Sequence, residues 1–363
     1  MARVITVRGP IAPEDLGFTS LHEHILVDLA ETFRGRYRQI LPNTPMPDGP
    51  FKMQERSTLR HGIILSSENL QLNDEEWAAG EVADFHAAGG SAIVETGAPG
   101  IRSANDVVAF RRISEKTGVH IIACTGLYAE NSWPERFQGL TEGQYAEYLR
   151  GEVANGIGDS GIFPGQIKVA YEGSTGPADT YVRAAARVSR ESGLSLQIHI
   201  GLLLTAHDFR RTLWPLLLDS DCVPERTVIC HVENWLGLLP LTQVVKDPQS
   251  VPSDTSLHRE VLERGFNLCF TCIGADWDLE GMGFAHRPDW FYLAGILKLI
   301  DDGYAGQIFL GHDVFTRLDT RRGGGEGFTR IHNFVLPTLR KCGVSENRIR
   351  QVTVENPARL LAL

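Results

Sequence analysis

Residues 20–28 read SLHEHILVD, and the way this stretch ends decides between the two folds open to the chain. It is an apolar, strand-like run whose side chains alternate between faces, so His22 and His24 emerge on the same side. Two imidazoles placed in this way can hold a metal ion, or can simply share a polar strand face. No glycine-rich loop follows the run, although such a loop commonly follows the first strand of a nucleotide-binding doubly wound sheet.

Seven further runs of β-branched and apolar residues recur downstream: SAIVETG (91–97), HIIACTG (120–126), GQIKVAY (165–171), LSLQIHIG (194–201), TVICHVEN (227–234), NLCFTCIG (267–274) and QIFLGHD (307–313). Each gap between runs holds a helix candidate, such as NDEEWAAGEVADFHAAGG (73–90), TYVRAAARVSRESG (180–193) and FYLAGILKLIDDG (291–303). The last two end in glycine, as a helix C-cap would. Eightfold βα alternation predicts a parallel sheet, and at this length its simplest closed form is an α/β (β/α)8 TIM barrel spanning 1–363 as one domain. An open doubly wound sheet is the rival that the 20–28 stretch disfavours. Residues 30–72 form a long insertion after the first strand, and TRRGGGEGF (320–328) follows the eighth. Both are expected over one barrel end, either covering an active site or as surface excursions.

With 363 residues, 42% of them hydrophobic, and a formal net charge of −10, the chain has an ordinary globular composition. Its acidic balance opposes nucleic acid or an anionic membrane as partner and leaves a small-molecule substrate. The opening MARVITVRGPIAPEDLG lacks the apolar core of a signal peptide, and no later run approaches the ~18 apolar residues of a membrane span, so a cytoplasmic location is expected. Of the six cysteines, Cys124, Cys230, Cys269 and Cys272 lie in strand-like runs and read as buried free thiols.

Six candidate metal ligands fall at or near the C-terminal ends of five strands: His22, His24, Lys168, His199, His231 and Asp313. His120 starts its strand and so sits at the wrong end, and His312 points away from Asp313. His61, His86, His207, His258, His286 and His332 lie in helices or loops, where a solvated ring is expected. Barrel interiors favour branched aliphatic residues, so burying four imidazoles, an amine and a carboxylate together is costly unless a cation organises them. Nitrogen and oxygen ligands suit Zn²⁺, Mn²⁺, Fe²⁺ or Co²⁺ rather than Ca²⁺. Lys168 is the exception, because an ammonium repels a metal; it must lose its charge or change chemically.

The succession HEH (22–24), IKVA (167–170), IHIG (198–201), CHVEN (230–234) and GHDV (311–314) resembles the phosphotriesterase family of the amidohydrolase superfamily. GPIAPEDLGFTSLHEHI (9–25), IIACTGLY (121–128) and ENPARLL (355–361) extend that resemblance over nearly the whole chain. It implies two divalent metal ions, one held by His22, His24 and Asp313 and the other by His199 and His231, bridged by Lys168 as a carbamate. It further implies that a hydroxide shared by the metals attacks a carbonyl or phosphoryl centre, with Asp313 as proton acceptor. Dimerisation is also a family expectation.

The family includes lactonases, phosphotriesterases, other ester or amide hydrolases and members labelled only as ligand-binding proteins. Organophosphate hydrolases carry an Asp three residues past the sixth-strand histidine and a His at the end of strand seven, where this chain has Asn234 and Cys272. Neither can relay protons from Asp313, which argues against proficient phosphotriester hydrolysis. Quorum-signal lactonases place an Arg at the second position, so Cys272 departs from them too. Tyr128, after strand three, matches a lactonase tyrosine that can steer a carbonyl, or it packs against the neighbouring loop. Arg287, Arg317, Arg321 and Arg322 would suit an anionic substrate, or would face water. The expected activity is metal-dependent hydrolysis of a lactone or related carboxylic ester. Phosphotriester or N-acyl amide hydrolysis, and a resiniferatoxin-type binding protein, are the alternatives; retention of both Lys168 and Asp313 speaks against the last.

Overall fold

The computed structural model describes residues 2–33, 52–61, 66–102, 104–237, 239–247, 253–275, 277–278, 283–284 and 288–363. All eight expected runs form strands: β1 (Thr19–Glu23), β2 (Ala92–Glu95), β3 (His120–Leu127), β4 (Gln166–Tyr171), β5 (Ser195–Ile200), β6 (Thr227–Cys230), β7 (Asn267–Phe270) and β8 (Ile308–Leu310). They lie side by side in sequence order and run parallel. The chain therefore folds as a near-closed (β/α)8 barrel. Strands β8 and β1 are drawn together by the Asp313 N–H donating to the His22 carbonyl at 3.0 Å. A glycine is required beside this seam, because a Cβ on Gly311 would come within 2.9 Å of the His22 backbone oxygen.

Helices α1 (Glu75–Ala87), α2 (Ala104–Thr117), α3 (Glu142–Asn155), α4 (Gly176–Ser192), α5 (Ser256–Glu263) and α6 (Asp289–Asp301) pack around the sheet. Their ends carry the expected signals. Asp74 caps α1 by accepting the Trp77 N–H, Thr141 and Gln144 form a capping box on α3, and Gly193 closes α4 at φ 78°. One apolar face of each strand meets these helices, as with Ile167, Val169, Leu196, Ile198 and Leu268. The other face points inward, and the N-terminal end of the barrel is filled by Leu21, Val94, Ile122, Val228, Cys230 and Phe309. Higher up the interior turns polar, with Gln197 donating to Gln166 at 2.8 Å and to the Leu21 carbonyl at 2.9 Å. That polar layer is the floor of the site.

An antiparallel hairpin, Val4–Thr6 with Gly9–Ile11, lies across the N-terminal end of the barrel, where Arg3 pairs with Leu363. Residues 34–51 and 62–65 of the insertion read at 30–72 lie outside the described residues. What is described includes the short helix Arg56–His61 and a two-residue strand, Gln71–Leu72, pairing with Val27–Asp28. Cys124, Cys230, Cys269 and Cys272 are buried, and all six cysteines are free. The solvated reading of His258 is corrected: it lies on the buried face of α5, its Nε2 2.8 Å from the Val232 carbonyl. Among the described residues, no helix is long and apolar enough to cross a membrane.

Candidate metal centre

His22 sits within β1, which bulges against β2 between Ser20 and Glu23, and His24 follows directly. Bulges beside active sites re-aim side chains. Lys168 and His199 come from β4 and β5, where Ala170 pairs with His199 and so sets the two strands in register. His231, Cys272 and Asp313 lie just beyond β6, β7 and β8. Among the described residues these three are the non-glycine positions with positive φ, at 65°, 51° and 52°. A left-handed conformation at such residues costs on the order of 1–3 kcal/mol and clusters at functional sites. Each carries its side chain off the strand line toward the barrel axis.

There the predicted ligands converge. Asp313 Oδ1 lies 3.3 Å from Nε2 of both His22 and His24, and its Oδ2 lies 3.7 Å from His231 Nε2. Lys168 Nζ is 3.4 Å from His22 Nε2, and the His199 and His231 rings are centred 4.2 Å apart. Two overlapping groups, His22–His24–Asp313 and His22–His199–His231, each bring their ligand atoms within 4.8 Å of one another. All are buried.

The donor set fits a metal. His199 Nδ1 and His231 Nε2 are buried with no hydrogen-bond partner, an arrangement that is expensive in a folded protein unless the lone pairs are otherwise engaged. Electrostatics favour the ligating forms. Burial, then the charge of Lys168, hold His22 well below its ordinary pKa, and burial followed by His231 takes His199 to about 3. Burial alone would raise the Asp313 carboxyl, but His22, His231 and His24 keep it well below the usual range. Burial also lowers Lys168, which favours the neutral amine.

Supporting carboxylates escaped the sequence reading. Glu23 gathers Ser20 Oγ, the His312 N–H at 2.8 Å, His312 Nδ1 at 2.7 Å and the Val314 N–H at 3.3 Å. The Ile331 N–H donates to His312 Nε2 at 3.2 Å, so Nδ1 carries the proton given to Glu23. The amides on both sides of Asp313 are therefore tied to one carboxylate. Across the barrel, His231 Nδ1 lies 2.6 Å from Thr271 Oγ1, which donates to Glu233 at 2.8 Å, and Glu233 also accepts the Thr271 N–H at 3.1 Å. This chain aims His231 Nε2 at the centre. Glu172 lies 3.5 Å from His199 Nε2. Glu95, buried 4.0 Å from His24 Nδ1, is raised to about 8 by burial. The signal available was an acid one or two positions from a strand-end histidine, as in HEH and HVE.

The other predicted residues divide. The Tyr128 ring packs 5.5 Å from that of His199, and Cys272 Sγ sits 3.7 Å from Asp313 Oδ2. Arg317 shares a small cavity with His24, but its guanidinium is bonded to Glu68 and to the Gln71 carbonyl at 3.0 Å. Arg321 pairs with Asp84 at 3.0 Å, and Arg322 lies over the Trp77 ring at 4.6 Å. Their backbone amides do hold an anion, but it is the Glu81 side chain of α1, at 2.8 and 3.0 Å. Arg287 lies outside the described residues.

Comparison with known proteins agrees with this geometry. The model of the phosphotriesterase family matches residues 2–361. The chain belongs to the phosphotriesterase family. Within reach of this phosphotriesterase-family chain is the N-acetyltaurine hydrolase of Dictyostelium discoideum, 25% identical over 398 residues, covering 100% of this chain and 98% of that protein. Among solved structures, a resiniferatoxin-binding protein from Rhodobacter sphaeroides is 30% identical with a TM-score of 0.81, over 99% of this chain and 94% of that one. A variant of the organophosphorus hydrolase from Deinococcus radiodurans is 25% identical with a TM-score of 0.70, over 99% and 97%.

Proposed function

We propose that this phosphotriesterase-family hydrolase cleaves a carboxylic acyl bond, that of a lactone or related ester, at a pair of divalent cations held by His22, His24 and Asp313 and by His199 and His231. Zinc is the first candidate, with manganese, cobalt or iron as alternatives, and Lys168 would join the residues that hold them as a carbamate, a change that would turn a repelling ammonium into an anionic ligand. Bound there, the cations supply an activated water and a Lewis acid for the acyl oxygen. Asp313, held ionised, takes the proton of the attacking water and returns it to the leaving group. Tyr128 steers the acyl oxygen from beside His199. The substrate is a small molecule; a homodimer in the cytoplasm belongs to the same proposal.

The observation that carries the reading is the Asp313 carboxylate, buried among imidazoles, with its Oδ2 3.7 Å from a Cys272 thiol. Burial, then Asp313, keep that thiol protonated, so it passes no proton outward, which favours acyl over phosphotriester substrates. An N-acyl amide is the second reading, favoured by the whole-chain similarity to an N-acetyltaurine hydrolase. The test is hydrolysis of γ- and δ-lactones, N-acetyltaurine and one phosphotriester by protein reconstituted with Zn²⁺ or Mn²⁺ and bicarbonate. Acyl turnover well above phosphotriester turnover is expected, and the preferred acyl substrate ranks the two readings. Phosphotriester turnover as the fastest reaction overturns both.

A further inference from the structure

A second cavity, of about 660 Å³, lies at the opposite end of the barrel, inside the ~300–1,000 Å³ range of small-molecule pockets. It opens between the N-terminal hairpin, α2 and the segments that lead into β4 and β5. Ile5, Ile162 and Leu194 give it an apolar wall, and Phe163 stands at its mouth with 48% of its surface exposed. Three arginines also line it, Arg3, Arg8 and Arg111.

Their partners differ from those of several surface arginines that sit in ion pairs. Arg112, Arg150 and Arg210 each meet a glutamate at 2.6–2.8 Å. Among the described residues, Arg3, Arg8 and Arg111 meet no carboxylate. Arg111 donates to the Val7 carbonyl at 2.9 Å and the Gly161 carbonyl at 3.5 Å, and Arg8 to the Gly118 carbonyl at 3.2 Å and His120 Nδ1 at 3.0 Å. Carbonyl and imidazole acceptors orient a guanidinium without neutralising it. Leu363 also lines the cavity, its backbone paired with Arg3 at 3.0 and 2.9 Å. The three arginines gather positive charge at one opening. In a chain of net charge −10, this is a local reversal of sign beside an apolar surface.

We propose that this cavity binds a small organic anion, its phosphate or carboxylate head on Arg3, Arg8 and Arg111 and its apolar body against Ile162 and Phe163. The ligand sits at the N-terminal ends of the strands, away from the histidine cluster, so its role is regulatory rather than catalytic, and it does not depend on the acyl-hydrolase reading.

Calorimetric titration of the metal-loaded protein with phenyl phosphate tests this, with inorganic phosphate and phenol supplying the head and body separately. One saturable event is expected for phenyl phosphate, weaker for each part and weakened by salt. Arg8→Gln with Arg111→Gln lowers the affinity at least about tenfold, as loss of charged hydrogen bonds requires, and leaves turnover unchanged. Arg3→Gln removes a charge from a side chain with no hydrogen bond among the described residues, and is expected to lower the affinity in a fold that is undisturbed. No saturable binding overturns the proposal. So does unchanged affinity in both variants, or binding that disappears on chelation but survives the arginine changes, which would place the anion on the metal centre.

Discussion

Asp313 adopts a backbone conformation that aspartate seldom takes, φ 52°, and its neighbours explain why it stays there. Glu23 holds the amides on either side, while the freed carboxylate reaches His22 and His24. Removing the charge at 313 separates chemistry from binding. Asp313→Asn is expected to cut turnover by about 10²–10⁴-fold, the usual worth of a positioned acid or base, with most of the metal still bound; an unimpaired variant removes Asp313 from the reaction. Glu23 acts only through others. Thr271 does the same for His231, and Thr271→Val is expected to lower metal affinity by about 10–100-fold, as second-sphere changes do, measured by competition with a chromogenic chelator. Unchanged affinity shows that the Thr271–Glu233 chain does not orient His231. Neither glutamate was singled out in the sequence, although HEH and HVE place each beside a strand-end histidine. Alternation showed which strand residues share a face with His22 and His24, but not that a neighbouring carboxylate would bond to the backbone of another strand.

At the scale of elements, the eight strands were legible because each is a short β-branched run between helix-forming stretches, and caps such as Gly193 marked where helices stop. The ligand positions followed from those strand ends. Side-chain reach did not. Arg321 and Arg322 were candidates for an anion because glycines follow them, yet the anion that their amides meet is Glu81, some 240 residues away in sequence. His258 was misjudged because a helical position in a loop-rich segment does not reveal which face of α5 is covered. The seam between β8 and β1 yields a prediction of its own. Gly311→Ala places a methyl 2.9 Å from the His22 backbone, so a loss of ~1–3 kcal/mol is expected from overpacking, together with reduced turnover, because the seam joins the strand that carries His22 to the strand end that carries Asp313. A denaturant titration that shows wild-type stability contradicts this account of the seam.

For the molecule as a whole, acid and metal act on the same folded state. Burial takes His258 to about 4, below its ordinary 6.5, so the folded protein holds this ring neutral where the unfolded chain is protonated. The stability involved is complete above about pH 6.5 and is lost as pH falls toward 4, by an amount on the order of 3 kcal/mol. His258→Gln is expected to flatten the fall in stability between pH 6.5 and 4 relative to the wild type, measured by urea unfolding at each pH; an identical slope means that the ring does not govern it. Chelation is expected to lower the stability of the folded barrel by about 3 kcal/mol when free metal had been at a hundredfold excess over Kd. The most direct measurement is metal content by mass spectrometry on protein reconstituted with Zn²⁺ and bicarbonate, read beside lactone hydrolysis. Two ions per chain, falling in Lys168→Ala together with turnover, is the expected result. Fewer than one ion per chain, or hydrolysis that persists in metal-free protein, contradicts a binuclear centre.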